Sequence, residues 1–402
     1  MRTHRFIATL LAGLACAAAL AGPIDPPAGP VTSTMKPLDV VEPRIPIGPA
    51  TTPGDNDASP SLYKITQPGS YYLLGNVQGV SGKIGVEIAA SNVTIDLAGF
   101  TLQGVNGSNS GILVTSLQSG ITIRNGTVNG WGESGIDATK SSAARIESVT
   151  ATNNGGTGIT TSNLAVITGC MARQNAFTGI SAGSAVTIRD CAADDNGTSG
   201  FWLGSAATLN GCTARNNNAY GFELNDIASA NNCIATHNKA TGFIAGYGSN
   251  YSSCTSAYNT IDGFWCNFGS MATNCSAYQN GRDGFYVSCG SVTNSQATMN
   301  QRDGIRLDIG NSTATGNTCF QNGLGNSGAG IRAVGASCRI DSNQVVSNAF
   351  GIHAAPDCMV VRNTARGNTT NYSFPVGSEY GQIITNPGSG FSSTNPWANF
   401  AY

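Results

Sequence analysis

"NCSAYQNGRDGFYV", residues 274–287, is answered twenty residues later by "NSQATMNQRDGIRL", residues 294–307. Both read N-x-x-A-x-x-N-x-R-D-G-[FI]-x-[VL], an agreement too long for chance and too regular for a single active-site motif. Either Arg-Asp-Gly marks chemistry, or it is one turn of a scaffold written twice. Working outward, Gly followed by an apolar residue recurs thirteen times, from Gly85-Val86 to Gly351-Ile352, and every step from Gly158 to Gly284 is 21 residues. Nine residues ahead of these glycines stand Cys170, Cys191, Cys212, Cys233, Cys254 and Cys275. Four residues ahead stand Asn154, Asn175, Asn196, Asn217, Asn238, Asn259, Asn280 and Asn300. A period this strict implies like units stacked on one axis.

Local periodicity identifies the unit. Ala172, Ala193, Ala214, Ala235 and Ala277 lie two residues after the Cys column, and Leu203, Leu224, Val287 and Leu307 lie two after the Ile/Phe column. That alternation is a strand signal, and no helical stripe occurs in the repeat. Strands this short cannot close a sheet within one unit, so each pairs with its equivalent in the next coil, roughly 4.8 Å away. The expected fold is all-β, a single-domain parallel β-helix of about 13 coils, with inward Asn side chains bonding to their own turn and to the Asn above and below.

At these columns the sequence resembles the right-handed parallel β-helix superfamily, which includes pectate lyases, polygalacturonases, alginate epimerases and periplasmic NosD-like proteins. The resemblance covers about residues 70 to 370 and implies a right-handed coil. The superfamily hosts binding proteins as well as several reactions, so it does not name an activity. The enzyme signatures are missing. A polygalacturonase has Gly-Asp-Asp and Gly-His-Gly, where this chain has Arg-Asp-Gly and no His-Gly; the Asp-Pro-His-Asp of alginate epimerases meets only "APDC" at 355–358; no pectate-lyase arginine motif is recognisable. No catalytic residue carries over from these families.

Composition narrows the partners. Only 10% of the 402 residues are charged and the net charge is −2, so there is no basic footprint for nucleic acid and no polybasic membrane signal. The opening "MRTHRFIATLLAGLACAAALA", residues 1–21, reads as a secretory signal peptide cut near Ala21. The location expected is secreted or cell-surface, with the periplasm a variant, and no membrane span in the mature protein. Residues 22–60 read as a Pro-rich linker, 61–84 as an N-terminal cap strand, 85–372 as the β-helix and 373–402 as a C-terminal cap.

Two outward columns carry the candidate chemistry. Residues two after each Gly face outward by alternation, among them Trp202, Trp265, Tyr286, Arg306 and Arg332. Aromatics along a rod suit the stacking of sugar rings, and the arginines beyond them suit carboxylates of an acidic glycan. The contrary expectation is that the repeat-free tail folds back over this face. Asp262, Asp283 and Asp303 each precede a restart Gly. Carboxylates one coil apart, about 5 Å, can share Ca²⁺ or act as an acid and a base or nucleophile. The plainer account is a turn whose carboxylates are neutralised by Arg282 and Arg302.

The Cys column invites disulfides, but parallel in-register Cβ vectors stay about 4.8 Å apart, beyond the usual span, so buried thiols are expected. His237 and His353 lie about five coils apart, roughly 24 Å, and cannot share a site. Two functions remain: a secreted rod that binds, and in its fuller form cleaves or epimerises, an extracellular polysaccharide; or a structural or cell-surface protein whose columns are all scaffold.

Overall fold

The structure, a computed structural model, describes residues 43–323, 328–385 and 393–402. Contacts divide the chain into Met1–Pro43 and Arg44–Tyr402. Of the first unit only Pro43 is described, so the expected signal peptide lies outside the described residues, as does most of the segment read as linker.

Every coil is built alike. Phe243–Ala245 is followed by a turn, then Asn250–Ser252, a two-residue kink at Ser253 and Cys254, Thr255–Ala257, and a corner that leads to Phe264. All pairings between coils are parallel. The first strands form a sheet of fifteen, the narrow sheet, and the other two strands of each coil contribute to a broad sheet of thirty. The thirteen strands with a Gly restart are joined by Ser61–Ile65 before them and Thr370–Ser373 after them, which lack that signature. The rod thus has about fifteen coils, two more than the glycine count suggests. Before the first full coil, Ile45–Pro46 pairs with Tyr71–Tyr72, so a residue without an amide donor sits at the exposed edge and blunts it. No helix among the described residues is long and apolar enough to cross a membrane.

The interior is a set of side-chain stacks. Phe201, Phe222, Phe243, Phe264 and Phe285 lie ring on ring, 4.6–4.9 Å apart and within 8° of parallel. Where Ala245 leaves room, Tyr251 enters the core and donates its hydroxyl to the Trp265 carbonyl. The Asn column forms the expected ladder. In it the Asn217 backbone N–H and Nδ2 both donate to Asn238 Oδ1, at 3.1 and 3.0 Å, while Asn238 Nδ2 donates to Ala214 O and Asn259 Oδ1. The restart glycine follows from that ladder, since a Cβ at Gly263 would lie 2.5 Å from Gly284 O and 2.8 Å from Asn280 Nδ2.

The six column cysteines are buried free thiols. They are more than small hydrophobes. Their position continues through Ser295 into a second ladder, Asn317, Asn343, Asn363 and Asn399, whose Nδ2 atoms donate to the coil before, as Asn317 does to Val292 O. Cys191 Sγ makes the equivalent contact to Ile167 O at 3.6 Å, a weak substitute for an amide.

Replacing Asn238 with Ala strands two buried donors of Asn217, and should cost about 3 kcal/mol, whereas Cys212→Ala should cost about 1 kcal/mol or less. Denaturant unfolding of the two variants beside the parent checks this ordering. Equal losses would remove the ladder's special standing.

Candidate functional site

The outward positions of the narrow sheet form one unbroken line. Trp202, Glu223, Ile244, Trp265, Tyr286, Arg306, Arg332, His353 and Ser373 are successive register partners. Trp202 is 45% exposed, and Trp265 and Tyr286 are half-buried against each other, ring centroids 5.0 Å apart and 65° between planes. Trp265 Nε1 donates to Asn267 Oδ1 at 3.1 Å. Tyr286 donates to Asp308 Oδ2 at 2.6 Å, and Arg306 Nε donates to the other oxygen of the same carboxylate at 3.0 Å. Asp308 therefore fixes the phenol and the guanidinium together. The described part of the tail pairs with strands at the far end of the rod, around Phe350–His353 and Met359–Arg366, and meets the line at its last members, where Ser373 pairs with His353.

Beside this line runs the column Asp262, Asp283, Asp303, all fully buried. Each carboxylate caps the turn that follows it. Asp262 Oδ1 accepts from Asp283 N at 2.9 Å, Asp283 Oδ1 from Asp303 N at 3.0 Å, and Asp303 Oδ1 from Ala329 N at 2.7 Å. Arginines neutralise them: Arg302 makes a two-pronged contact to Asp283, Arg332 Nε lies 3.0 Å from both oxygens of Asp303, and Arg282 stands 3.7 Å from Asp262. The odd member is Asp262, whose Oδ2 is buried without a hydrogen-bond partner. Burial and the neighbouring Asp283 charge push its carboxyl up to about 6, against the pull of Arg282 and Arg302. Asp303 is also raised, by burial and Asp283, with Arg332 opposing.

The contacts of this column favour the neutralised turn over a shared Ca²⁺. Five of the six carboxylate oxygens already accept hydrogen bonds, with guanidinium groups alongside, whereas such a cation takes six to eight oxygen ligands. Among the described residues no cluster of three His, Cys, Asp or Glu side chains is placed to hold a metal.

The Asp column and the outward line meet in a trough. A concavity of about 550 Å³ is lined by Arg282, Arg302, Asp303, Arg306, Arg332 and Val334, with Gly281, Gln301 and Gly328. A second, about 420 Å³, shares Arg332 and Val334 and continues past His353 to Ser373 and Phe374. Burial and Arg332 lower the His353 imidazole, Asp303 opposing, and its Nδ1 lies 3.1 Å from Ser373 Oγ. His237 is elsewhere, stacked on Tyr258 at the Asn corner. The other flank of the narrow sheet carries aromatics that the sequence reading missed. Tyr247 and Phe268 are 60% and 45% exposed and meet edge to face at 5.8 Å. They sit five residues after their restart glycines, in a turn position outside the two-residue alternation, so only an explicit turn-by-turn alignment would have found them.

Residues 110–261 match a family model described as a right handed beta helix region. That stretch is a right-handed β-helix. The resemblance read from the Asn, Cys and Gly columns is borne out. No curated protein matches the chain. Among solved structures, the A-module of the Azotobacter vinelandii mannuronan C-5 epimerase AlgE4 is similar at 15% identity, covering 77% of this chain and 90% of that one, TM-score 0.42. The periplasmic alginate epimerase AlgG gives 12% identity, 84% and 77% coverage, TM-score 0.38. The catalytic domain of a GH87 alpha-1,3-glucanase, in complex with nigerose, gives 12%, 80% and 62%, TM-score 0.41. Identities and TM-scores this low assign no residue role to this chain.

The state of Asp262 has a measurable consequence. A carboxyl at about 6 when folded and near its ordinary 3.8 when unfolded favours the folded state only in its protonated form. That contribution is present below about pH 4, is lost as pH rises toward 6, and stays lost above; it amounts to about 3 kcal/mol. Asp262→Asn keeps the acceptor for Asp283 N and removes the titration. Between pH 4 and pH 7 the unfolding free energy should fall by about 2 kcal/mol more in the parent than in the variant, and parallel profiles would mean that Asp262 does not titrate in this range.

Proposed function

We propose that the protein is an extracellular or periplasmic rod that binds an acidic polysaccharide lengthwise along the narrow sheet. The observation that carries this reading is the continuity of one outward line, from Trp202 through Trp265 and Tyr286 to Arg306 and Arg332, into a trough walled by four arginines. Indole and phenol rings offer faces to the C–H surfaces of sugar rings, and guanidinium groups offer forked donors to sugar carboxylates. Arg302 and Arg332 are held by buried aspartates and Arg306 by Asp308, so their side-chain order is established before any ligand arrives, which lowers the cost of binding.

Two roles are open to the Asp column within this reading. Its contacts favour the positioning of Arg282, Arg302 and Arg332. An acid–base role for Asp283 and Asp303 would require at least one of them to exchange its arginine for substrate; Asp262, with an unpartnered oxygen and a pKa near 6, is the member whose protonation state already suits proton transfer.

Retention on immobilised polygalacturonate and alginate, with dextran as the neutral control, tests the proposal. The expected outcome is salt-sensitive binding to the acidic polymers, weakened roughly tenfold by Trp265→Ala and again by Arg306→Gln. Assays for new reducing ends and for unsaturated products run on the same samples; product lost in Asp283→Asn would extend the function to catalysis. Equal retention on dextran, or none on any polymer, would leave a scaffold whose columns serve only the fold.

A further inference from the structure

A third concavity, of about 500 Å³, lies at the C-terminal end on the broad sheet, away from the line just described, and its size is within the range of small-molecule sites. Its walls include two large aromatics in the open, Tyr380 at 51% and Trp397 at 50% exposure, with Met359 beside them. Both rings are held in place. The Arg362 guanidinium sits over the Trp397 ring, 5.2 Å from its centroid. Arg362 is in turn clamped by the buried Asp341 carboxylate, its Nε donating at 2.8 Å. Against the upward push of burial, Arg362 and Arg339 bring that carboxyl down to about 2, so the clamp is ionised at any ordinary pH. Trp397 N donates to Asn395 Oδ1 at 2.9 Å, and Tyr380 packs on Phe374 at 4.7 Å.

Two aromatics kept half in water while fixed by a chain of contacts are a costly arrangement for a mere cap, which would turn them inward. They are instead arranged as a ready-made stacking surface. The polar groups around them restrict what it takes. Gln382 and Asn395 line the cavity with amide-bearing side chains, and Glu379 places a carboxylate there. Arg339 also lines it but is committed to Asp341 through Nε and Nη2. With donors and acceptors mixed and one sign of charge facing the other, neither an anion nor a cation is favoured.

We propose that this cavity is a separate binding site for a neutral sugar ring, stacked against Trp397 and Tyr380, at the end of the rod. The site uses none of the residues of the acidic-polymer line and stands or falls independently of it.

Isothermal titration of the full chain with neutral disaccharides of glucose, galactose and mannose in both anomeric linkages reads it out. Digalacturonic acid serves as the charged control. The expected result is saturable heat with at least one neutral disaccharide, in the millimolar range, reduced roughly tenfold or more by Trp397→Ala and by Tyr380→Ala, and unchanged by Trp265→Ala. Tyr380→Ala is the safeguard if Trp397→Ala fails to fold, since Tyr380 does not take part in the Asp341–Arg362 clamp. No saturable heat across the panel overturns the proposal; so does binding that survives Tyr380→Ala, or binding of digalacturonic acid alone.

Discussion

One amide side chain per coil, bonded to the next, is the constraint on which the rest of this molecule depends. In the ladder each Asn Oδ1 takes two donors from the coil before it, and each Nδ2 reaches a carbonyl one coil further back, as Asn217 Nδ2 does to Ala193 O. Buried polar groups at a corner are otherwise expensive. Once they are satisfied in this way, the corner backbone is dictated. The residue before each ladder Asn adopts left-handed φ whatever its type, including His237 and Tyr258 at 57° and Met299 at 56°, conformations that non-glycine side chains normally avoid at a cost of about 1 kcal/mol or more. The ladder tolerates those costs because it fixes the register of every coil at once.

Register fixed inside is register fixed outside. Any outward residue stands over its counterpart in the next coil, at one strand spacing, so surface chemistry on this scaffold comes as lines rather than as isolated points. The narrow sheet carries a line that changes character along its length, from indole and phenol to guanidinium. Such a line has the one-dimensional repeat of a strand spacing rather than the closed outline of a pocket.

Much of this was legible in the sequence. The Gly restarts and the Asn and Cys columns predict the coil, its repeat and its inward faces, because all follow from alternation and from buried-amide satisfaction. Coils without the Gly signature, at Ser61–Ile65 and Thr370–Ser373, escape a count of glycines. The Cys column is legible as buried but not as a ladder in weaker form, since its continuity with Ser295, Asn317 and Asn343 crosses spacings of 20, 22 and 26 residues. Tyr247, Phe268 and Asp308 were invisible for a related reason: they occupy turns and strand ends, whose orientation is set by neighbouring coils and not by local periodicity.

The repeated Arg-Asp-Gly can now be weighed against ordinary turn chemistry. The position before the restart glycine is Ser199, Tyr220 and Thr241 in three earlier coils, and the backbone bonds across it are the same in kind: Gly221 N donates to Thr241 O at 3.2 Å, Gly263 N to Asp283 O at 2.9 Å. The turn therefore does not need a carboxylate. Installing three in succession, fully buried and one coil apart, costs desolvation first and mutual repulsion second, both of which push Asp262 and Asp303 up, and each has an arginine nearby. A scaffold under selection for stability alone has no reason to replace a hydroxyl by a buried ion pair, since such pairs seldom add net stability. What the replacement does achieve is a bank of arginines held at fixed positions along the trough. The carboxylates thus serve the turn backbone through one oxygen and order the neighbouring guanidinium groups through the same charge.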